Sequence, residues 1–203
     1  MDSTIVVTGG TGRLGKLFSK VLAENNVAHT LTSRTQVSGV SNWMAMDIGT
    51  GNGIDAALKG KKILVHLASG TKKFDKNIDV NGTQRLLQSA IENGIEHFIY
   101  VSIVGIDRVP VAYYNLKLQA EELIKQSGVP YTIFRATQFH EFLDQMFHRF
   151  LFFPIVMLPT KAKIQPIDTI LAAEDLYRLM QLPPANKTYD LGGPEVLELG
   201  TIL

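Results

Sequence analysis

Thr4-Ile5-Val6-Val7-Thr8-Gly9-Gly10-Thr11-Gly12-Arg13-Leu14-Gly15 reads as a strand, a turn and the start of a helix, without a gap. Ile5, Val6 and Val7 form the short apolar, β-branched run of a buried parallel strand. Beyond the glycines, Leu14, Leu17, Phe18, Val21 and Leu22 recur at the spacing of one helix face. A helix that starts straight after such a turn presents free backbone N–H groups and a partial positive charge to a phosphate. The glycines remove side chains that would hold a pyrophosphate away from that backbone. The spacing is Gly9-x-x-Gly12-x-x-Gly15 rather than the commoner G-x-G-x-x-G.

Outward from this stretch, strands alternate with helices. Ala28 to Thr32, Asn42 to Met46, Ile63 to Leu67, His97 to Val101 and Tyr131 to Phe134 read as further strands. Ile54 to Leu58, Asp75 to Asn93 and Tyr113 to Gln126 read as helices. Val80, Thr83, Leu87, Ala90 and Ile91 are the expected inner face of the second of these, and Leu116, Ala120, Leu123 and Ile124 of the third. The alternation predicts right-handed βαβ crossovers: an α/β, Rossmann-type, doubly wound parallel sheet. Later come a helix over Gln138 to Arg149, an apolar run from Phe150 to Leu158 and a short strand at Lys163 to Pro166. A helix over Ala172 to Leu182 and a last strand at Lys187 to Leu191 complete the pattern. We expect residues 1–203 to form one domain, with 138–203 contributing a small substrate region past the carboxyl ends of the strands.

Composition narrows the function. The 203 residues are 45% hydrophobic and 19% charged, and the net charge is +1. That balance gives no electrostatic case for nucleic acid or an anionic membrane surface. With no cysteine in the chain, disulfides, thiolate metal sites and cysteine nucleophiles are excluded. Phe150 to Leu158 is too short to span a bilayer, and the first strand begins at once, so we expect no membrane segment or signal peptide. The expected setting is cytoplasmic. The partners are a small-molecule substrate and no nucleic acid or membrane, with the chain a monomer or a homodimer.

The end of the second strand bears on the cofactor. An NAD site usually places an acid there for the ribose 2′-OH. Here Ser33 and Arg34 stand at that point. A hydroxyl and a guanidinium suit a 2′-phosphate, so NADP(H) is favoured over NAD(H), and Arg13 is within reach of the same phosphate. Asp47 either meets an adenine amino group, with Ile48 against the ring, or caps a turn. Ala68 and Ser69 end the fourth strand with small side chains that leave room for a cofactor at the sheet edge.

Tyr113 and Lys117 form a Y-x-x-x-K pair whose side chains leave one face of a helix. A phenol titrates near about 10, and a nearby ammonium lowers that value. We therefore expect Tyr113 as proton donor or acceptor, Lys117 as its tuner and as a holder of the nicotinamide ribose, and Ser102 as orienter of a carbonyl. Tyr114 competes with its neighbour for the role. His140, Glu141 and His148 share one expected helix without the spacing of a metal site. Phe139, Phe142, Met146, Phe147, Phe150, Phe152 and Phe153 make an aromatic-rich patch, read as core or dimer packing or as a wall for a flat apolar substrate.

The turn Thr8-Gly9-Gly10-Thr11-Gly12-Arg13-Leu14-Gly15, the Ser102 segment, Tyr113 with Lys117, and Pro130 to Thr137 resemble the short-chain dehydrogenase/reductase superfamily. They most resemble its atypical, NmrA-like branch of NAD(P)H-binding proteins. Ile164 to Asp168 and Tyr189 to Pro194 resemble that branch too. The resemblance implies a Rossmann core, a nicotinamide cofactor held by Gly9, Thr11, Gly12, Arg13, Leu14 and Gly15, and a C-terminal substrate region. It implies either a reductase of quinones, azo dyes or ketones, or an NADP(H)-sensing regulator without turnover. Ile103 stands where relatives carry a second serine, and the gap from Ser102 to Tyr113 is short.

Overall fold

A computed structural model describes residues 4–36, 40–70, 75–144 and 160–201. Strand β1 (Ile5–Thr8) is buried at every position and leads through the glycine turn into α1 (Arg13–Glu24). There follow β2 (His29–Ser33), β3 (Trp43–Ala45), α2 (Ile54–Leu58) and β4 (Ile63–His66). A π-helical turn (Asn77–Gly82) opens α3 (Thr83–Glu92). Then come β5 (His97–Ile103), α4 (Ala112–Gln126) and β6 (Tyr131–Ala136). The chain ends in β7 (Lys163–Ile164), α5 (Thr169–Met180), β8 (Lys187–Leu191) and β9 (Leu197–Glu198).

Seven strands form one parallel sheet in the order β3-β2-β1-β4-β5-β6-β8. The order reverses beside β1, and the crevice at the carboxyl end of that reversal is where this architecture takes ligands. The pleat divides the core. Val6, Leu64, Phe98 and Ile133 face Leu58, Leu86, Ala120 and Ile124 on one side. Val7, Val65, Ile99 and Phe134 face Phe18, Leu22, Ala172 and Leu176 on the other. Each large side chain so buried contributes roughly 1.5–3 kcal/mol. The fold is therefore the Rossmann-type parallel sheet that the alternation predicts.

Three details depart from the sequence reading. β5 runs on through Ser102 to Ile103, because β6 pairs with it as far as Ala136. In α3, Leu86 is buried and Ile91 is 54% exposed, so the inner face sits one position earlier than expected. In α4, Lys117 and Glu121 lie in the buried stripe with Ala120 and Ile124. Beyond β6, residues 140–144 are helical, and Phe139 bridges to Ile167. The rest of the helix expected to Arg149 and the apolar run to Leu158 lie outside the described residues, as do Met146, Phe147, His148, Phe150, Phe152 and Phe153. Among the described residues, no helix is long and apolar enough to cross a membrane, and no group of acids and histidines could hold a metal.

Candidate functional site

The glycine turn is shaped by close approach. Gly9 has φ +71°, and a Cβ there would lie 2.7 Å from the Ala68 nitrogen. A Cβ on Gly15 would lie 2.4 Å from the Gly9 oxygen, so α1 packs directly on the turn. Gly12 donates its N–H to the Gly9 oxygen at 2.9 Å and stands at the N-cap of α1. No side chain caps that terminus, and the first turn of α1 carries no acid. The helix end is thus left to an anion, which fits the pyrophosphate of a dinucleotide.

A cleft of about 460 Å³ runs along the sheet edge from this turn. Of the expected cofactor residues, Gly9, Thr11, Gly12, Ser33, Arg34, Asp47, Ile48, Ala68 and Ser69 line it. Leu14 and Gly15 support it from beneath as buried parts of α1. Arg34 is exposed on its wall and, among the described residues, makes no ion pair. The Ser33 hydroxyl is already engaged: it accepts from Trp43 Nε1 at 2.8 Å and donates to the Thr35 oxygen at 2.6 Å. Asp47 accepts the Gly49 N–H at 2.9 Å in a turn, the capping alternative, while its place on the wall leaves the adenine contact open. Arg13 does not line the cleft; its Nη1 lies 3.8 Å from Glu141. Glu141 also accepts from the Thr169 hydroxyl at 2.7 Å.

The far wall carries the candidate chemistry. The Tyr113 hydroxyl lies 2.7 Å from Ser69 Oγ, at the edge of the cleft. Burial, the largest influence, pushes Tyr113 up to about 12, with the Asp79 charge and Tyr114 acting the same way and the Ser69 bond opposing. The depression expected from Lys117 is therefore not what the structure shows. Lys117 is 5% exposed and turns inward. Its Nζ donates to the Val101 oxygen at 3.1 Å and lies 4.6 Å from the centre of the Tyr100 ring. Burial lowers its pKa to about 8 against the pull of Asp79 and Glu121. The expected contact of Lys117 with the ribose pocket is absent from the cleft lining. Ser102 is buried within β5, and its hydroxyl has no partner among the described residues. It does not line the cleft, so its position gives the expected role of carbonyl orienter no support. Tyr114 turns elsewhere, accepting from Gln138 Nε2 at 2.8 Å.

A model of the family described as NAD(P)H-binding matches residues 9–144. The chain belongs to this NAD(P)H-binding family. The expected kinship with atypical, NmrA-like short-chain dehydrogenase/reductases is thereby borne out. Over 203 residues, the chain is 24% identical to the photosystem II assembly factor Ycf39 of Trieres chinensis. That alignment covers 94% of this chain, which spans only 64% of the relative's length. A nucleoside-diphosphate-sugar epimerase from Staphylococcus aureus shares its fold with a TM-score of 0.82 and 20% identity, over 97% of this chain and 73% of that one. The triphenylmethane reductase of Citrobacter sp., solved with NADP(H), does so with a TM-score of 0.81 and 19% identity, over 98% and 73%. The fold is thus shared with structures named as an epimerase and a reductase, and the sequence is similar to that of an assembly factor.

Two buried carboxylates of this NAD(P)H-binding chain escaped the sequence reading. Asp79, 1% exposed on the π-helical turn, accepts from Ser69 Oγ at 2.7 Å and from the Gly70 N–H at 3.1 Å. Glu121, fully buried, takes Arg135 bidentately, with Nε to Oε1 at 2.9 Å and Nη2 to Oε2 at 2.7 Å. Their one sequence signal is a carboxylate on the inner stripe of an expected helix: Asp79 four before Thr83, Glu121 four after Lys117.

Proposed function

We propose that this protein is an NADPH-dependent oxidoreductase that reduces a small carbonyl or quinone-like substrate. The observation that carries the reading is the Tyr113 hydroxyl on Ser69, which sets a phenol directly behind a residue that lines the dinucleotide cleft. The bound dinucleotide supplies hydride. The chain's own residues bind, orient and protonate. The bare N-terminus of α1 takes the pyrophosphate, and the exposed Arg34 guanidinium takes a 2′-phosphate. Tyr113 gives the substrate's carbonyl oxygen a proton. A phenol held up to about 12 keeps its proton at neutral pH, as a donor must. Residues 138–203 furnish the substrate side, in a single-domain chain working in the cytoplasm.

The test is a titration of the purified protein with NADPH and NADH, then NADPH oxidation with quinones, aldehydes and azo dyes. Tighter NADPH binding with turnover is the expected result. Tyr113→Phe should lower aldehyde reduction roughly 10²- to 10⁴-fold and leave quinone reduction nearly intact, because hydride transfer to a quinone needs little help from a protein acid. A second reading, an NADP(H)-responsive regulator, is favoured by the inward turn of Lys117 onto Val101. It requires dinucleotide binding with no turnover, so steady NADPH oxidation with any substrate overturns it.

A further inference from the structure

Ser69 has one hydroxyl proton, and the carboxylate of Asp79 accepts it at 2.7 Å. The contact between Ser69 Oγ and Tyr113 OH, also 2.7 Å, must then take its proton from the tyrosine. The chain has one direction: Tyr113 to Ser69 to Asp79. Asp79 is itself fixed from behind. Thr83 Oγ1 donates to the Asp79 backbone oxygen at 2.7 Å, so it accepts from His66 Nε2 at 3.1 Å. His66 Nδ1 in turn accepts from Thr8 Oγ1 at 2.7 Å, and that oxygen accepts the N–H groups of Leu67 and Ala68 at 3.1 and 3.2 Å. Burial keeps His66 neutral, its pKa lowered to about 3. The network therefore ties the end of β1, the loop after β4 and the π-helical turn into one buried frame. The π-helical turn delivers Asp79 inward beneath Ser69 and Gly70, between the core side chains Ile78 and Val80.

We propose that Asp79 is a positioning residue of the reduction site, which acts through Ser69 to hold the Tyr113 hydroxyl at the cleft edge with its proton directed along the wall. The proposal rests on the reading of Tyr113 as the acid. In this arrangement Asp79 keeps Tyr113 protonated and in place until a substrate oxygen competes with Ser69 for its proton. The groups within electrostatic reach of the phenol are Asp79 from the π-helical turn, Tyr100 from β5 and Tyr114 from its own helix. The Asp79 charge adds to the burial that holds the phenol up.

The experiment follows Tyr113 directly. ¹³Cζ-tyrosine NMR of the full chain is run against pH, with Tyr113→Phe identifying the Tyr113 signal. Asp79→Asn, which keeps the size and loses the charge, should make Tyr113 ionise about tenfold more readily, one pK unit. Ser69→Ala, which removes the connector, should also displace the Tyr113 signal at neutral pH. In NADPH-dependent reduction of 4-nitrobenzaldehyde, Asp79→Asn should lower kcat about tenfold in the wild-type background and less than about twofold in Tyr113→Phe, since coupled residues are not additive. An equal loss in both backgrounds, with the Tyr113 ionisation unmoved in Asp79→Asn, overturns the proposal. If Tyr113→Phe reduces the aldehyde at full rate, the acid reading falls, and the NMR titration alone decides: a tenfold change upholds the contact with Asp79, and an unchanged titration refutes it.

Discussion

The two walls of the cleft are made differently. The Gly9–Gly15 wall is backbone: a left-handed Gly9, a helix end without a cap and a second helix turn pressed on the Gly9 oxygen. The Ser69–Tyr113 wall is side chain: a phenol, a hydroxyl and a buried carboxylate in series. The first is set by close approach of backbone to backbone. The second depends on which groups carry protons. A backbone wall fails by steric insertion, and a side-chain wall fails by loss of charge or of one oxygen. This difference says where the protein is brittle and where it is tunable.

The comparison can be broken most forcefully at Gly9. Gly9→Ala places a Cβ at positive φ and 2.7 Å from backbone that cannot swing away. We expect a loss of about 3 kcal/mol in urea-induced unfolding, together with lost NADPH binding by fluorescence titration. A stable variant that still binds would show that the turn is not shaped by contact with Ala68. A smaller effect is expected at Arg34, an exposed cation of the cleft lining. Arg34→Asp should weaken NADPH binding by about 2 kcal/mol through loss of a charge-assisted contact and new repulsion, and leave NADH binding nearly unchanged. Equal losses for both dinucleotides would remove the case for a 2′-phosphate at this position.

The smallest effect sharpens the other wall. His66 is held neutral by burial, so its folded pKa of about 3 lies below the unfolded value of about 6.5. Below pH 6.5 the unfolded chain binds the extra proton and the folded chain does not. Stability is therefore full above pH 6.5 and falls as the pH drops towards 3. Between pH 6.5 and 5.5 the loss should be about 1 kcal/mol from this residue, read as a shift of the urea midpoint. His97, buried against Thr132 Oγ1 and lowered to about 4, acts in the same direction. A His66→Gln variant should show a shallower pH dependence, and an unchanged slope would mean that His66 is not the buried neutral link between Thr8 and Thr83.

Much of this site was legible before folding was considered, and the limits are instructive. Gly9, Gly12, Ser33, Arg34, Ala68 and Ser69 could be named as cleft residues because each follows a strand of recognisable pattern, and strand ends share one sheet edge. Tyr113 could be named from its spacing to Lys117, but the partnership could not be read correctly. The pair shares a helix, yet Lys117 lies in the buried stripe with Ala120 and Ile124, where its ammonium donates to the Val101 carbonyl of β5. Arg13 sits in the turn but meets Glu141, from a helix more than a hundred residues away in sequence. Asp79 was hidden for a further reason: its partners Ser69 and Gly70 lie in the loop after β4, and a contact between a loop and a helical turn leaves no periodic signal.

What the sequence alone determined is the parallel α/β sheet and its phosphate turn, because hydrophobic period and glycine's missing side chain are local properties. What only the tertiary structure decided is the protonated chain from Tyr113 through Ser69 to Asp79 and the inward turn of Lys117. Those depend on how deeply α4 and the π-helical turn settle onto β4 and β5, and a hydrogen bond or a buried charge is set by the last ångström of that packing.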